Sequence, residues 1–392
     1  MRTAIIGGGA AGFFLAINLK EMASQMQVDI FERGKHVLSK VRISGGGRCN
    51  CTNSFANVAD LSRVYPRGHR LLKRLFNEFD HRDAFSWFER HGVRLTTQDD
   101  QCVFPASQNS QTIIDCFLSE ARRHGIAVHT EQAVASLEQL SDYDFLAVTT
   151  GGQPHAHGLQ WLADAGHQIE APVPSLFTFS INHPPLHQLM GTVATSASVQ
   201  IPGTKMRAEG PLLVTHWGVS GPAILKLSSY AARLLAERAY HAPLSINWTS
   251  SREADLQDCL ATAIARHQSK QVSTVNPFGL PARLWNYLLE RSLPHRPELR
   301  WGEVSKKDLN RLVNVLSNDT YEIAGRAAFK DEFVTCGGVS LSSVFPNTLE
   351  SRCRPRLYFA GEVLDIDGIT GGFNFQAAWT TAYVAAKAIS RC

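Results

Sequence analysis

Apolar and polar positions at the start of the chain alternate in blocks that predict a strand, a turn and a helix. In "TAIIGGGAAGFFLAINL" a short apolar run meets three glycines and then a longer apolar stretch. The run "VDIFERG" (28–34) predicts a second strand ending in Glu32. Residues 69–93 place Leu71, Leu72, Leu75, Phe76 and Phe79 at helical spacing, predicting two packed helices stopped at Gly92, their aromatics serving the core. Residues 110–130 read as a helix, a glycine stop and a strand. "DFLAVTTGG" (144–152) reads as a buried parallel strand running into a turn. Alternating β and α units predict an α/β fold with a doubly wound, Rossmann-type sheet.

From about Pro172 the pattern changes to short extended runs divided by Pro and Gly, as in "PVPSLFTFSINHP", "ASVQI" and "GPLLVTHWGVSG". This predicts a small β-domain over 172–250. Residues from about 251 to 325 read as helical, with Pro281 near a helix start, where its missing N–H costs little. Residues 355–389 return to strand, acidic turn, glycine loop and helix. The expected organisation is one nucleotide-binding domain in two segments, 1–171 and 333–392, interrupted by an insert over 172–332.

The bulk numbers narrow the partners. At 392 residues the chain is long for a single core. Its 39 basic and 35 acidic residues leave a net charge of +4, too small and scattered an excess to point to nucleic acid or a membrane surface. The pairs Arg122-Arg123 and Lys306-Lys307 read as solvated helix faces. The apolar start "AIIGGGAAGFFLAINL" contains four glycines and falls short of the roughly 20 residues of a membrane span. It also has no basic leader or convincing cleavage site, so the expected location is cytoplasmic. Cysteines stand at 49, 51, 102, 116, 259, 336, 353 and 392, without C-x-x-C spacing or a zinc pattern. The expectation is reduced thiols and no metal.

Gly7, Gly9 and Gly12 fill the G-x-G-x-x-G pattern. Gly7 permits the tight turn, Gly9 lets a pyrophosphate approach the backbone, and Gly12 lets helix and strand lie close. The helix N-terminus offers free N–H groups to phosphate. Glu32, twenty positions after Gly12, stands where ribose hydroxyls are gripped, which favours FAD or NAD over NADP; adjacent Arg33 weakens that exclusion. At the other end "LYFAGE" closes on Gly361-Glu362, with Gly371, Gly372 and a helix from about Phe375. A second helix N-terminus suits a second phosphate or the charge of a reduced flavin. An extended FAD uses both chain ends.

With these segments in view, the chain resembles the bacterial flavoprotein family of aminoacetone oxidases and BaiN-type reductases of oxo bile acids. The resemblance rests on "IIGGGAAGFF", "KVRISGGGRCNCTN", "VFP" at 103–105, "TTGG" at 149–152, "GPLLVTHWGVSGPAILKLS" and "VTCGGVSL…LYFAGEVLDIDGITGGFNFQAAW", spread over nearly the whole length. It implies a glutathione-reductase-like FAD domain in two segments, with a β-barrel-like insert carrying a small helical part. By family position, FAD is expected to contact Gly7, Gly9, Ala10, Ala11, Gly12, Glu32, Arg33, Lys40, and Ser44, Gly46, Gly47 and Arg48 of the SGGGRCN loop. Val134 is expected to meet adenine through its backbone. Thr150, Gly151, Gly361, Glu362, Asp365, Gly371, Gly372, Phe373, Asn374, Phe375 and Gln376 complete the candidate set. Three features depart from the family pattern. Ser39-Lys40 replaces a basic pair, Arg42 replaces an apolar residue, and "QPHAHGLQWLADAGH" is shorter than the expected loop.

Flavin supplies redox reactivity while protein supplies orientation and electrostatics. No second G-x-G-x-x-G follows a strand, so a reductant would dock transiently, or electrons would pass from substrate to dioxygen. The expected function is an FAD-dependent oxidoreductase moving hydride between flavin N5 and a small amine or carbonyl/enone substrate. An NAD(P)H-dependent reductase of an oxo or enone compound is the first alternative. A non-catalytic flavin-binding regulatory protein is an alternative of another class.

Single residues keep open readings at this stage. Cys49 and Cys51 read as ordinary thiols rather than a redox dithiol, because a C-x-C disulfide closes a strained ring. Arg48 suits a phosphate, a substrate carboxylate or a buried acid. Asn50 and Asn374 suit either the flavin edge or turns. Asp365 and Asp367 flank one loop without forming a paired-acid site, His216 beside Trp217 reads as core or surface, and no proton-transfer residue is assigned.

Overall fold

A computed structural model describes residues 1–153, 155–327 and 334–392. Pro154 of the shortened loop and the expected segment boundary at 332/333 lie outside the described residues. The chain divides into two compact units, residues 1–174 with 334–392, and residues 175–333.

The first unit is built on a five-stranded parallel sheet. Its strands are β1 (Arg2–Ile6), β2 (Gln27–Phe31), β3 (Ala127–His129), β4 (Phe145–Val148) and β5 (Leu357–Phe359), in spatial order β5-β4-β1-β2-β3. Register pairs Thr3 with both Val28 and Phe145, and Phe359 with Val148. The last strand of the chain thus joins a sheet begun by its first residues. Residues Ala4–Ile6 and all of β4 are buried, as both faces of a parallel sheet are when helices cover them.

Helix α1 (Ala10–Met22) is buried all round from Ala11 to Leu19. The apolar run that resembles an anchor is therefore a core helix, and among the described residues no helix is long and apolar enough to cross a membrane. Helix α2 follows over Ser39–Gly47 and is broken at Ser44–Gly46. Helix α3 (His81–Arg90) starts on a capping box between Asp80 and Asp83. The chain then forms α4 (Gln111–Arg123). The ring of Phe14 lies 4.6 Å from Trp87, 5.1 Å from Trp379 and 5.5 Å from Phe79. These aromatics form the core, with Trp87, Phe88 and Trp379 nearly inaccessible.

The second unit holds a closed antiparallel barrel of six strands. In spatial order they are Val193–Gln200, Arg207–Val214, Gly218–Ser220, Phe179–Ile181, Asp319–Arg326 and His241–Asn247. Helices Glu253–Arg266, Ala282–Ser292 and α5 (Lys306–Asn318) enclose a separate core around Trp248, Trp285 and Trp301. Pro281 is the N-cap of its helix.

The helical reading of 251–325 needs correction at its end, because Asp319–Arg326 is a barrel strand. Asp319, Tyr321 and Ile323 are buried while Thr320, Glu322 and Ala324 are exposed, the period of two that a strand requires.

Candidate cofactor site

Three glycines open the site, each for a different physical reason. Gly7 has φ +116°, and a Cβ there would lie 2.5 Å from the Thr149 carbonyl oxygen. A Cβ on Gly12 would lie 2.1 Å from the Gly7 oxygen. A Cβ on Gly9 would meet nothing within 4 Å. Gly7 and Gly12 therefore serve protein packing, whereas Gly9 faces open space at the head of α1. That helix end has no side-chain cap and no acid in its first turn, so its N–H groups suit an anion.

Glu32 lies just beyond β2. One carboxylate oxygen accepts the Gly8 N–H at 2.9 Å, and the other accepts the Gly34 N–H at 2.7 Å. The carboxylate is thereby aimed at the glycine turn with lone pairs to spare. Arg33 is exposed. Half-buried Val134 lies in the loop after β3, two residues beyond Gln132, whose N–H donates to the Glu32 carbonyl at 2.9 Å.

The SGGGR segment is a left-handed turn with φ of 56°, 68° and 83° at Gly45, Gly46 and Gly47. Three consecutive positive φ values explain three consecutive glycines. Gly45 also packs closely on Asn50 and Phe104, whereas Gly46 and Gly47 face open space. Half-buried Ser44 bonds back to the Val41 carbonyl at 2.8 Å.

Arg48 sits 4.2 Å above the Phe104 ring, and its Nε donates to the Gly45 carbonyl at 3.1 Å. Among the described residues no carboxylate pairs with it, which removes the buried-acid reading. Arg42 is exposed and donates to Gln111 at 2.9 Å. Cys49 and Cys51 are both fully buried free thiols, Sγ to Sγ 3.8 Å, and burial pushes the Cys51 thiol well up. A thiol so raised is a poor nucleophile.

The C-terminal segment closes on these elements. Lys40 Nζ lies 2.7 Å from a carboxylate oxygen of Glu362, whose other oxygen accepts the Thr335 N–H at 2.8 Å. That carboxylate stands over the turn after β4, where a Cβ on Gly152 would lie 2.6 Å from it. Gly151, in the same turn, has φ +72°. Within this turn the Thr150 hydroxyl is buried and has no hydrogen-bond partner among the described residues. Gly361 has φ +78°, and a Cβ there would lie 2.8 Å from the Ala11 side chain, so β5 ends directly against α1. Asp365 is half-buried, and its N–H donates to the Val339 carbonyl at 2.9 Å.

Helix α6 (Phe373–Ser390) begins at Gly372 with no side-chain cap and no acid in its first turn. A Cβ on Gly372 would lie 2.1 Å from the Thr52 carbonyl oxygen. Asn53 donates to the Gly371 carbonyl at 3.0 Å, and Asn50 accepts the Gly372 N–H at 3.2 Å. Thr52 donates to Gln376 at 2.6 Å. The side chain of Gln376 is fully buried, as is the Tyr65 ring whose hydroxyl donates to the Phe373 carbonyl at 2.8 Å. Phe375 stacks on Trp379 at 5.5 Å.

Asn374 exchanges two hydrogen bonds with the backbone of Gly368, at 2.8 and 2.9 Å, which is the work of a turn residue. Asp367 is fully buried and forms a two-pronged ion pair with Arg67. His216 is exposed in the second unit, edge-on to Trp217.

Sequence reasoning passed over Asn53, Tyr65, Arg67 and Thr335. Asn53 is the one with a local signal, since it ends the glycine-and-cysteine stretch already singled out. The others reach the site from distant segments.

Residues 1–388 match the HI0933-like protein Rossmann domain. The chain belongs to that family. It is an FAD-dependent oxidoreductase. This HI0933-like chain is 26% identical over 412 residues to the 3-dehydro-bile acid delta(4,6)-reductase of Clostridium scindens, covering 99% of this chain and 98% of that protein. It is 28% identical over 424 residues to the ribosomal RNA dihydrouridine synthase of Haemophilus influenzae, covering 99% and 98%. Among solved structures it is similar to a 3-ketosteroid delta1-dehydrogenase from Sterolibacterium denitrificans, with a TM-score of 0.48, 10% identity and 99% of each chain covered.

The geometry suits the cofactor of an HI0933-like protein. Two uncapped helix ends, open space at Gly9, Gly46 and Gly47, and the unpartnered Thr150 hydroxyl all lie in one unit.

Proposed function

We propose that the chain reduces a carbon–carbon double bond conjugated to a carbonyl, with NAD(P)H as the reductant. The observation that carries this reading is shared chemistry among full-length relatives. A delta(4,6)-reductase of a 3-dehydro bile acid and a dihydrouridine synthase both saturate a C=C bond in conjugation with C=O. The substrates differ widely while the reaction type is constant.

In this reading Gly9 and the head of α1 hold the pyrophosphate, Glu32 the adenosine ribose, and the Val134 backbone the adenine. Lys40, the Gly46–Arg48 turn and Thr150 line the middle. Glu362 and Asp365 take ribitol hydroxyls, and the head of α6 stabilises negative charge on the reduced ring. The C-terminal glycine loop is held by position: Asn50 and Asn53 of the first segment hold Gly372 and Gly371, and Gln376 ties the head of α6 to Thr52. FAD supplies hydride transfer; the protein supplies binding, orientation and charge stabilisation.

The test is anaerobic mixing of holoenzyme with NADPH or NADH, followed by a 3-keto-4-ene steroid acid or a uridine-containing RNA. Bleaching of the flavin band by the nicotinamide and its return with a conjugated carbonyl are expected. Bleaching by a small amine, with no return on adding either conjugated carbonyl, would overturn the proposal in favour of amine oxidation.

A further inference from the structure

We infer that the outer face of α5 is a docking surface for the phosphate backbone of RNA. The net charge of the chain is small, but it is segregated. Residues 175–333 carry 17 lysines and arginines against 13 aspartates and glutamates, and the remainder of the chain carries 22 against 22. The whole excess of four therefore resides in the second unit.

Within that unit α5 concentrates the charge. Lys306, Lys307, Asn310, Arg311 and Asn314 are all exposed and line one shallow, open recess of about 600 Å³. Leu312, Val313 and Leu316 face the core. The one acid in the helix, Asp308, is buried on the inner side. It accepts from Ser305 at 2.7 Å and from Arg296 at 2.8 Å, so its charge is already answered. Glu303, the nearest acid upstream, turns back to accept the Arg300 N–H at 3.2 Å. Among the described residues Lys306, Lys307 and Arg311 have no ion-pair partner.

Placement strengthens the point. Lys306 and Lys307 occupy the first turn of α5, the positive end of the helix dipole, where cations are disfavoured unless an anion answers them. Three unpaired cations interleaved with two amide side chains, and free of carboxylates, match a row of phosphates with hydrogen-bonding partners between them. By contrast Arg123, in the other basic pair noted in the sequence, is held by Glu120 at 2.5 Å. The inference rests on the proposed function, in which a uridine base within RNA is one form of the conjugated carbonyl.

The test measures binding of holoenzyme to a fluorescein-labelled RNA hairpin by anisotropy, between about 50 and 200 mM salt. The variants are K306A/K307A/R311A and, as a control, R122A/R123A. The triple variant is expected to bind about 10-fold more weakly or worse at low salt, with a plot of log K against log salt flatter by roughly 2 to 3. Its flavin absorbance and thermal midpoint should be unchanged, and so should its turnover of a small steroid enone. The control variant should bind as the parent does. Unchanged affinity and slope in the triple variant would overturn the inference. So would competition by polyglutamate as effective as competition by RNA at equal charge. If RNA binding depends on this face but neither RNA nor enone reoxidises the flavin, the proposed function fails and the docking surface stands.

Discussion

The ammonium of Lys40 and the carboxylate of Glu362 meet at 2.7 Å although 322 residues separate them. Lys40 is half exposed while the Glu362 side chain is mostly covered. The pair stands where the first and last segments of the chain close over the turn after β4. An exposed lysine contributes little to folding, within about 1 kcal/mol. Lys40→Met should therefore leave the thermal midpoint nearly unchanged. FAD affinity should fall about 10-fold, and its salt dependence should weaken, as read by flavin fluorescence titration.

Gly9 and Gly12 belong to one motif and should fail differently. Gly12→Ala forces a Cβ against the Gly7 oxygen and should cost about 3 kcal/mol or more, lowering the urea midpoint with or without cofactor. Gly9→Ala meets open space at an ordinary extended backbone, so the apo-protein should fold normally. Its expected defect is weak FAD retention on gel filtration.

Arg67 forms a two-pronged ion pair with Asp367, and Asp367 has no solvent access. Arg67→Met takes the guanidinium away from a fully buried carboxylate, an expected loss of about 3 to 5 kcal/mol. The double variant Arg67→Met with Asp367→Leu should recover much of that loss. Urea unfolding of the three proteins measures the coupling.

His91 ties three helices of the first unit, its Nε2 2.9 Å from Glu21 on α1 and 3.7 Å from Glu120 on α4. Burial works to lower the His91 pKa. The hydrogen bond to Glu21, the Trp87 carbonyl and the flanking carboxylates outweigh burial and hold it above its ordinary 6.5. The same hydrogen bond from His91 holds Glu21 below its ordinary 4.5. A raised histidine contributes stability that is full below 6.5 and lost as pH rises through the folded value. A lowered carboxylate contributes stability present above 4.5 and lost as pH falls through its folded value. The clasp should be strongest between about pH 4.5 and 6.5, and the urea midpoint should fall from pH 6 to pH 8. His91→Gln should flatten that slope.

Much of the fold was legible because its signals are local. The glycine turn, the helix after it and the acid twenty positions later lie within one βαβ unit. The strand Asp319–Arg326 is hidden in the sequence because a helical run, Lys306–Asn318, precedes it directly. Its alternation of buried Asp319, Tyr321 and Ile323 shows its meaning only once the barrel closes on it. A charge sum over the whole chain hides the confinement of the cation excess to one unit.

By itself the sequence determined where the backbone must turn and where a helix end is left bare, since φ preference and hydrophobic period act over a few residues. Only the tertiary structure decided which distant groups meet: Lys40 with Glu362, Asn53 with Gly371, Thr52 with Gln376. Each of these contacts joins residues more than 300 positions apart, and no spacing rule along the chain encodes them. They form because parallel pairing of β5 with β4 brings the last segment back beside the first.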